Sequence, residues 1–133
     1  MTPLDSPIRI LVADDDEDIL NLVALMLERE GYDVVRARDG AEAVEVAFAA
    51  RPVLLVLDVM MPKQDGFAVI RALRDETATE TTPILLLTAS VKEQHRERGL
   101  EAGANAFVRK PFSPRELLRE IRRLLGGPDA AAA

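Results

Sequence analysis

The chain has 133 residues, 48% hydrophobic and 30% charged, with a net charge of −6 and no cysteine. That is one domain, long enough to bury a core; thiol and disulfide chemistry are excluded, and the acidic balance opposes a general nucleic-acid binder, which needs clustered Lys and Arg. No apolar stretch approaches the roughly 20 residues that cross a bilayer, and the opening MTPLDSP is too polar for a signal peptide, so the default location is cytoplasmic.

Residues 1–7 read as a flexible leader. The run IRILVA at 8–13 is a short buried strand. Asp16 caps a helix to about Glu30 with Ile19, Val23, Met26 and Leu27 on one face, and Gly31 ends it. Val34 and Val35 mark a second strand. Asp39-Gly40 opens a helix through Ala50, with Val44 and Phe48 as its apolar pair. Pro52 punctuates before a third strand at 53–57. Asp65 caps a helix at 66–74 with Ile70 and Leu73 inward, and DETATETT is a polar loop. The fourth strand spans 83–88. A helix at 91–102 follows, apolar only at Val91 and Leu100, and the fifth strand is 106–109. Ser113 caps a last helix striped by Leu117, Leu118, Ile121, Leu124 and Leu125. The end, 126–133, is a flexible tail or the start of a linker.

Strand and helix alternate five times. This (βα)5 pattern predicts a doubly wound parallel sheet with helices on both faces, in strand order 2-1-3-4-5. The apolar runs 53–57 and 84–87 belong at its centre. In that order the carboxyl ends of strands 1 and 3 flank the ligand crevice.

The apolar runs end in chemistry. ILVA leads into Asp14-Asp15-Asp16, VLLVL into Asp58, and ILLL into Thr88. Alone, the Asp triplet reads equally as a site and as residues that cap a helix and solubilise a loop; with Asp58 on the neighbouring strand it reads as a site. Like charges at that range are relieved by proton uptake or by a hard divalent cation such as Mg²⁺. Lys110, before Pro111, has a restricted backbone that could aim its ammonium into the crevice. Ala89 leaves room beside Asp58. Together these residues fit phosphoryl transfer to a carboxylate, in which the protein supplies position and charge.

The motifs ILVADDDEDI, LLVLDVMMPKQDG, PILLLTAS and GANAFVRKPF, in this order and spacing, resemble the receiver domain of two-component response regulators over 8–125, a flavodoxin-like fold. The resemblance implies that Asp14 and Asp15 hold Mg²⁺ (or Mn²⁺) with Asp58 and the backbone carbonyl of Met60. It makes Asp58 the phosphoacceptor, Thr88 and Lys110 its catalytic partners, and Thr88 and Phe107 the switch pair. It also implies a cis Lys110-Pro111 bond. The donor would be a sensor histidine kinase or a phosphotransfer protein, and the output a downstream protein target reached through the face at 91–125. Direct nucleic-acid or membrane binding by this domain is not expected.

Several positions depart from the family's commoner pattern. Val53 replaces an Asp, Lys63-Gln64 replaces Gly-Met, and Phe107 lacks a Tyr hydroxyl. Ser90, His95 and Asn105 stand where receivers joined to winged-helix DNA-binding domains carry Arg, Asp and Asp. That weakens the charged-pair dimer of those receivers and leaves a monomer or weak dimer. His95 reads as solvated, and Arg115, Arg119, Arg122 and Arg123 as the solvated face of the last helix. A phosphatase of the haloacid-dehalogenase type needs a second Asp where Met60 stands. A flavin or nucleotide module needs a glycine-rich loop where three Asp stand. The expectation is a switch that catalyses only its own phosphorylation and dephosphorylation. With nothing domain-sized after 125 the stand-alone reading is favoured, and GGPDAAAA reads equally as a truncated linker of a longer chain.

Overall fold

The computed structural model describes residues 8–61, 65–89 and 92–126. The leader, Lys63-Gln64, Ser90, Val91 and the tail beyond Gly126 lie outside these. The elements are β1 (Arg9–Ala13), α1 (Glu17–Arg29), β2 (Asp33–Ala37), α2 (Gly40–Ala50), β3 (Leu54–Leu57), α3 (Gly66–Arg74), β4 (Ile84–Thr88), α4 (Glu93–Ala102), β5 (Ala106–Arg109) and α5 (Pro114–Leu124). The five strands form one parallel sheet in the predicted order, β2-β1-β3-β4-β5.

The central strands β1, β3 and β4 are apolar except at Arg9 and Thr88 on their ends, because both faces are covered. Successive side chains alternate between two cores. Leu11, Leu55, Leu57, Ile84 and Leu86 pack under α2, α3 and α4, with Ala43, Ala47, Phe67, Ile70 and Leu73. Ile10, Val12, Leu54, Val56, Leu85 and Leu87 pack under α1 and α5, with Leu20, Val23, Leu27, Leu117 and Ile121. Each such aliphatic side chain contributes roughly 1.5–3 kcal/mol by leaving water.

Four helices begin where a side chain accepts a first-turn N–H. Asp16, Asp39, Asp65 and Ser113 accept from Ile19, Glu42, Ala68 and Glu116 respectively. Gly31 follows α1 with φ +95°, a conformation glycine adopts without strain.

Several local expectations change. β2 runs five residues, since polar Asp33 and Arg36 are tolerated on a strand that pairs with β1 alone. Val53 is exposed and precedes β3. On α2, Ala43 and Ala47 face the sheet; Val44 is half-buried and Phe48 exposed, because close helix–sheet contact favours the small side chains. On α1, Leu20 and Ala24 are buried, while Ile19 and Met26 sit at the margin. The described part of α4 starts at Glu93, and its Leu100 is exposed. Among the described residues no helix is long and apolar enough to cross a membrane.

One glycine ties the fold to the end of β3. The Gly66 N–H donates to Val59 O at 2.9 Å, and a Cβ built at Gly66 would lie 2.6 Å from Asp58 O and 3.0 Å from Val59 Cα. Backbone cannot move aside as a side-chain tip can. Gly66→Ala should therefore lower stability by about 1–3 kcal/mol despite alanine's better helix propensity. Urea unfolding checks this, and a more stable variant would contradict the packing.

Candidate functional site

Extra ladder bonds carry the sheet one residue past its strands and fix the groups at its mouth. Asp14 N–H donates to Ala37 O at 3.2 Å, Asp58 N–H to Ala13 O at 3.0 Å, and Lys110 N–H to Thr88 O at 2.7 Å. Asp14, Asp58 and Lys110 thus each follow a strand's last residue, and Thr88 closes β4. All four stand at the carboxyl edge of one sheet, where doubly wound folds bind ligands.

Asp14 (2% exposed), Asp58 (8%) and Thr88 (0%) are buried. Asp15 is exposed. One carboxylate oxygen from each of Asp14, Asp15 and Asp58 lies within 4.8 Å of the other two. Lys110 Nζ donates to Asp14 Oδ2 at 2.7 Å and stands 3.6 Å from Asp58 Oδ2. The other Asp14 oxygen accepts from Asp16 N–H at 2.9 Å, and Asp58 Oδ1 accepts from Met60 N–H at 3.3 Å.

Burial, and then the charge of Asp14, push the Asp58 carboxyl from 3.8 up to about 6. Lys110 and the Met60 N–H pull it down, but less. Burial pulls the Lys110 ammonium down, yet its hydrogen bond to Asp14 and the fields of Asp58 and Asp14 outweigh that, and its pKa is raised. Three crowded oxygens with one carboxyl pushed towards protonation are the donor set a hard cation relieves.

The remaining predicted residues fall around this centre. Met60 is 61% exposed on the lip, whereas Met61 is buried. Ala89 is exposed. Phe107 is half-buried on β5, in register with Leu86. The Lys110-Pro111 peptide is cis, as expected.

His95 differs from its expected solvated state. It is half-buried, its ring 6.0 Å from that of Phe67. Arg98 lies over the same ring at 4.4 Å. Phe67, one residue after the glycine packed on the end of β3, was not legible as a support for α4; an aromatic in the first turn of α3 was the only signal. Among the α5 arginines, Arg122 pairs with Glu30 and Arg123 with Glu120, and Arg115 and Arg119 are exposed.

Residues 10–122 match the family model of the response regulator receiver domain. The chain belongs to this family. This receiver domain is 46% identical over 124 residues to the alkaline phosphatase synthesis transcriptional regulatory protein PhoP of Bacillus subtilis, covering 93% of this chain and 51% of that protein. It is 43% identical over 117 residues to the transcriptional regulatory protein ResD of the same organism, covering 88% and 48%. The receiver domain thus spans about half the length of these curated relatives. Among solved structures it superposes on the Vibrio cholerae chemotaxis protein CheY4 with TM-score 0.85 and 34% identity, covering 90% of this chain and 99% of that one. It matches the receiver domain of the sensor histidine kinase PA1611 of Pseudomonas aeruginosa PAO1, which has a magnesium ion coordinated in its active site cleft. There the TM-score is 0.85 and the identity 32%, covering 92% and 100%.

The raised Asp58 pKa has a signed consequence. Between about pH 4 and pH 6 the folded chain keeps a proton that the unfolded chain has released. Stability therefore falls as pH rises through that window, and ionised Asp58 stays costly above it. Asp58→Asn should stabilise the metal-free protein by about 1–3 kcal/mol near pH 7.5, with the gain gone below about pH 4. Urea unfolding in EDTA at the two pH values checks this; a loss of stability near pH 7.5 would contradict it.

Proposed function

We propose that this receiver domain, over 8–125, is a switch in which Asp58 accepts a phosphoryl group from a phosphohistidine on a sensor histidine kinase or phosphotransfer protein. The observation that carries the reading is the meeting of three carboxylates, the buried Thr88 and the Lys110 ammonium at one sheet edge. Asp14, Asp15, Asp58 and the backbone carbonyl of Met60 would hold Mg²⁺ or Mn²⁺, a role that suits oxygen donors so crowded and fits the magnesium in the PA1611 receiver. When bound, the ion neutralises phosphate charge and orients the donor.

Asp58 supplies the nucleophilic oxygen. A new P–O bond forms as the donor's P–N bond breaks, and the released imidazole nitrogen keeps the electron pair. Lys110, already 2.7 Å from Asp14 and 3.6 Å from Asp58, would meet a phosphoryl oxygen. Thr88 would meet another, and Phe107 would fill the space that Thr88 vacates. The domain would catalyse its own phosphorylation and slow hydrolysis, with no turnover of external substrates. Its output is a population shift in the face at 91–125, read by a protein target.

Intact-mass analysis after incubation with acetyl phosphate tests this. Wild type should gain one phosphoryl group in Mg²⁺ and none in EDTA, and Asp58→Asn should gain none. A folded wild type that gains nothing, or a mutant that gains as much, would overturn the reading.

A further inference from the structure

α4 is built unlike the other helices. Their N-caps are Asp or Ser side chains that accept first-turn N–H groups. At the N-cap of α4 stands Lys92, whose ammonium has no acceptor to offer and puts positive charge at the positive end of the helix dipole. Gly99 is the helix's buried residue. A Cβ there would lie 2.5 Å from Leu86 Cδ1, so the backbone itself rests on the sheet. Ahead of Gly99, His95 and Arg98 lean on the Phe67 ring. In that half the described side chains include no buried aliphatic, and the Phe67 ring is met by His95 and Arg98.

The C-terminal end is held otherwise. Arg74, at the end of α3, spends all five guanidinium N–H groups on one knot. Nε and Nη2 donate to Gly103 O at 3.2 and 2.8 Å. Nη1 donates to Thr79 O at 3.1 Å and Thr82 O at 2.7 Å. The second Nη2 bond goes to Asn105 Oδ1 at 3.0 Å. That same amide oxygen accepts from Ile84 N–H at 2.8 Å, and Asn105 N–H donates to Ile84 O at 2.8 Å. Gly103 itself has φ +118°, and a Cβ on it would lie 2.9 Å from Arg74 Nε. The knot ties the residues that follow α4 to α3, to the loop before β4 and to β4. It also engages the side chain of Asn105, which remains exposed, in two of these bonds.

We propose that Arg74 and Asn105 make the C-terminal end of α4 a fixed hinge, so that the helix answers the site by swinging its Lys92 end and not by sliding as a body. The swinging half is the half that touches Phe67, and Phe67 follows the glycine packed on the Asp58–Val59 backbone. The hinge deepens the proposed switch; only its response to phosphorylation rests on that reading.

Amide hydrogen exchange by NMR on the full chain tests it. Without phosphorylation, Gly103, Ala104 and Asn105 should exchange at least about tenfold more slowly than residues 94–97. Even or inverted protection overturns the hinge. Arg74→Met should abolish the difference while the β1 and β3 amides stay slow; a retained difference overturns it. Should that variant not fold, Asn105→Ala decides: faster exchange at Gly103 and Ala104 supports the hinge, and unchanged exchange overturns it. Acetyl phosphate with Mg²⁺ forms the last arm, with intact mass read in parallel. In phosphorylated protein, change confined to 92–98 supports the hinge, and equal change at 103–105 overturns it while the phosphoacceptor reading stands. If no mass is gained, that reading fails, and the unphosphorylated gradient still decides the hinge.

Discussion

The structure turns on carboxylates that the fold forces together. At 4.8 Å and an effective dielectric of about 20, two such charges repel by roughly 3 kcal/mol. Asp14 and Asp58 cannot escape by rotating into water, because both are buried and each backbone is bound into the parallel ladder. Lys110 offsets part of the repulsion from across the sheet, and its bond to Asp14 is the shorter of its two contacts. Asp58 is left as the less satisfied carboxylate, with its pKa near 6. A cation would meet that deficit, and a phosphoryl group would meet the lysine.

Such crowding is affordable only on a stiff frame. Both faces of the sheet are sealed by apolar cores, so the strand ends arrive at a fixed spacing. Gly66 brings α3 against the backbone that carries Asp58, and Phe67 passes that position on to α4. The helix without a side-chain cap bond therefore lies one contact beyond the buried carboxyl whose pKa is raised. Low local stability belongs with elements that move, and the proposed hinge would put it beside the group whose charge would change.

Most of the fold was legible because its signals are local. Apolar runs mark the strands, and Asp16, Asp65 and Ser113 mark helix starts within three residues of the N–H groups they bind. The carboxylate site was legible for the same reason, since each member closes an apolar run. What escaped is non-local. Arg74 resembles an ordinary basic residue in a last helical turn, and its acceptors Gly103 and Asn105 lie 29 and 31 residues away. His95 reads as solvated until α3 brings Phe67 beside it. On α2 the larger Val44 and Phe48 pointed beside the buried stripe, which is Ala43 and Ala47, with Val44 at its margin and Phe48 exposed.

The most direct test of the central claim is the titration of the Asp58 side-chain carboxyl by carbon NMR, with and without Mg²⁺. The account predicts a midpoint near 6 without the ion and a clear fall when it is added. A midpoint at the ordinary aspartate value in both conditions would contradict it.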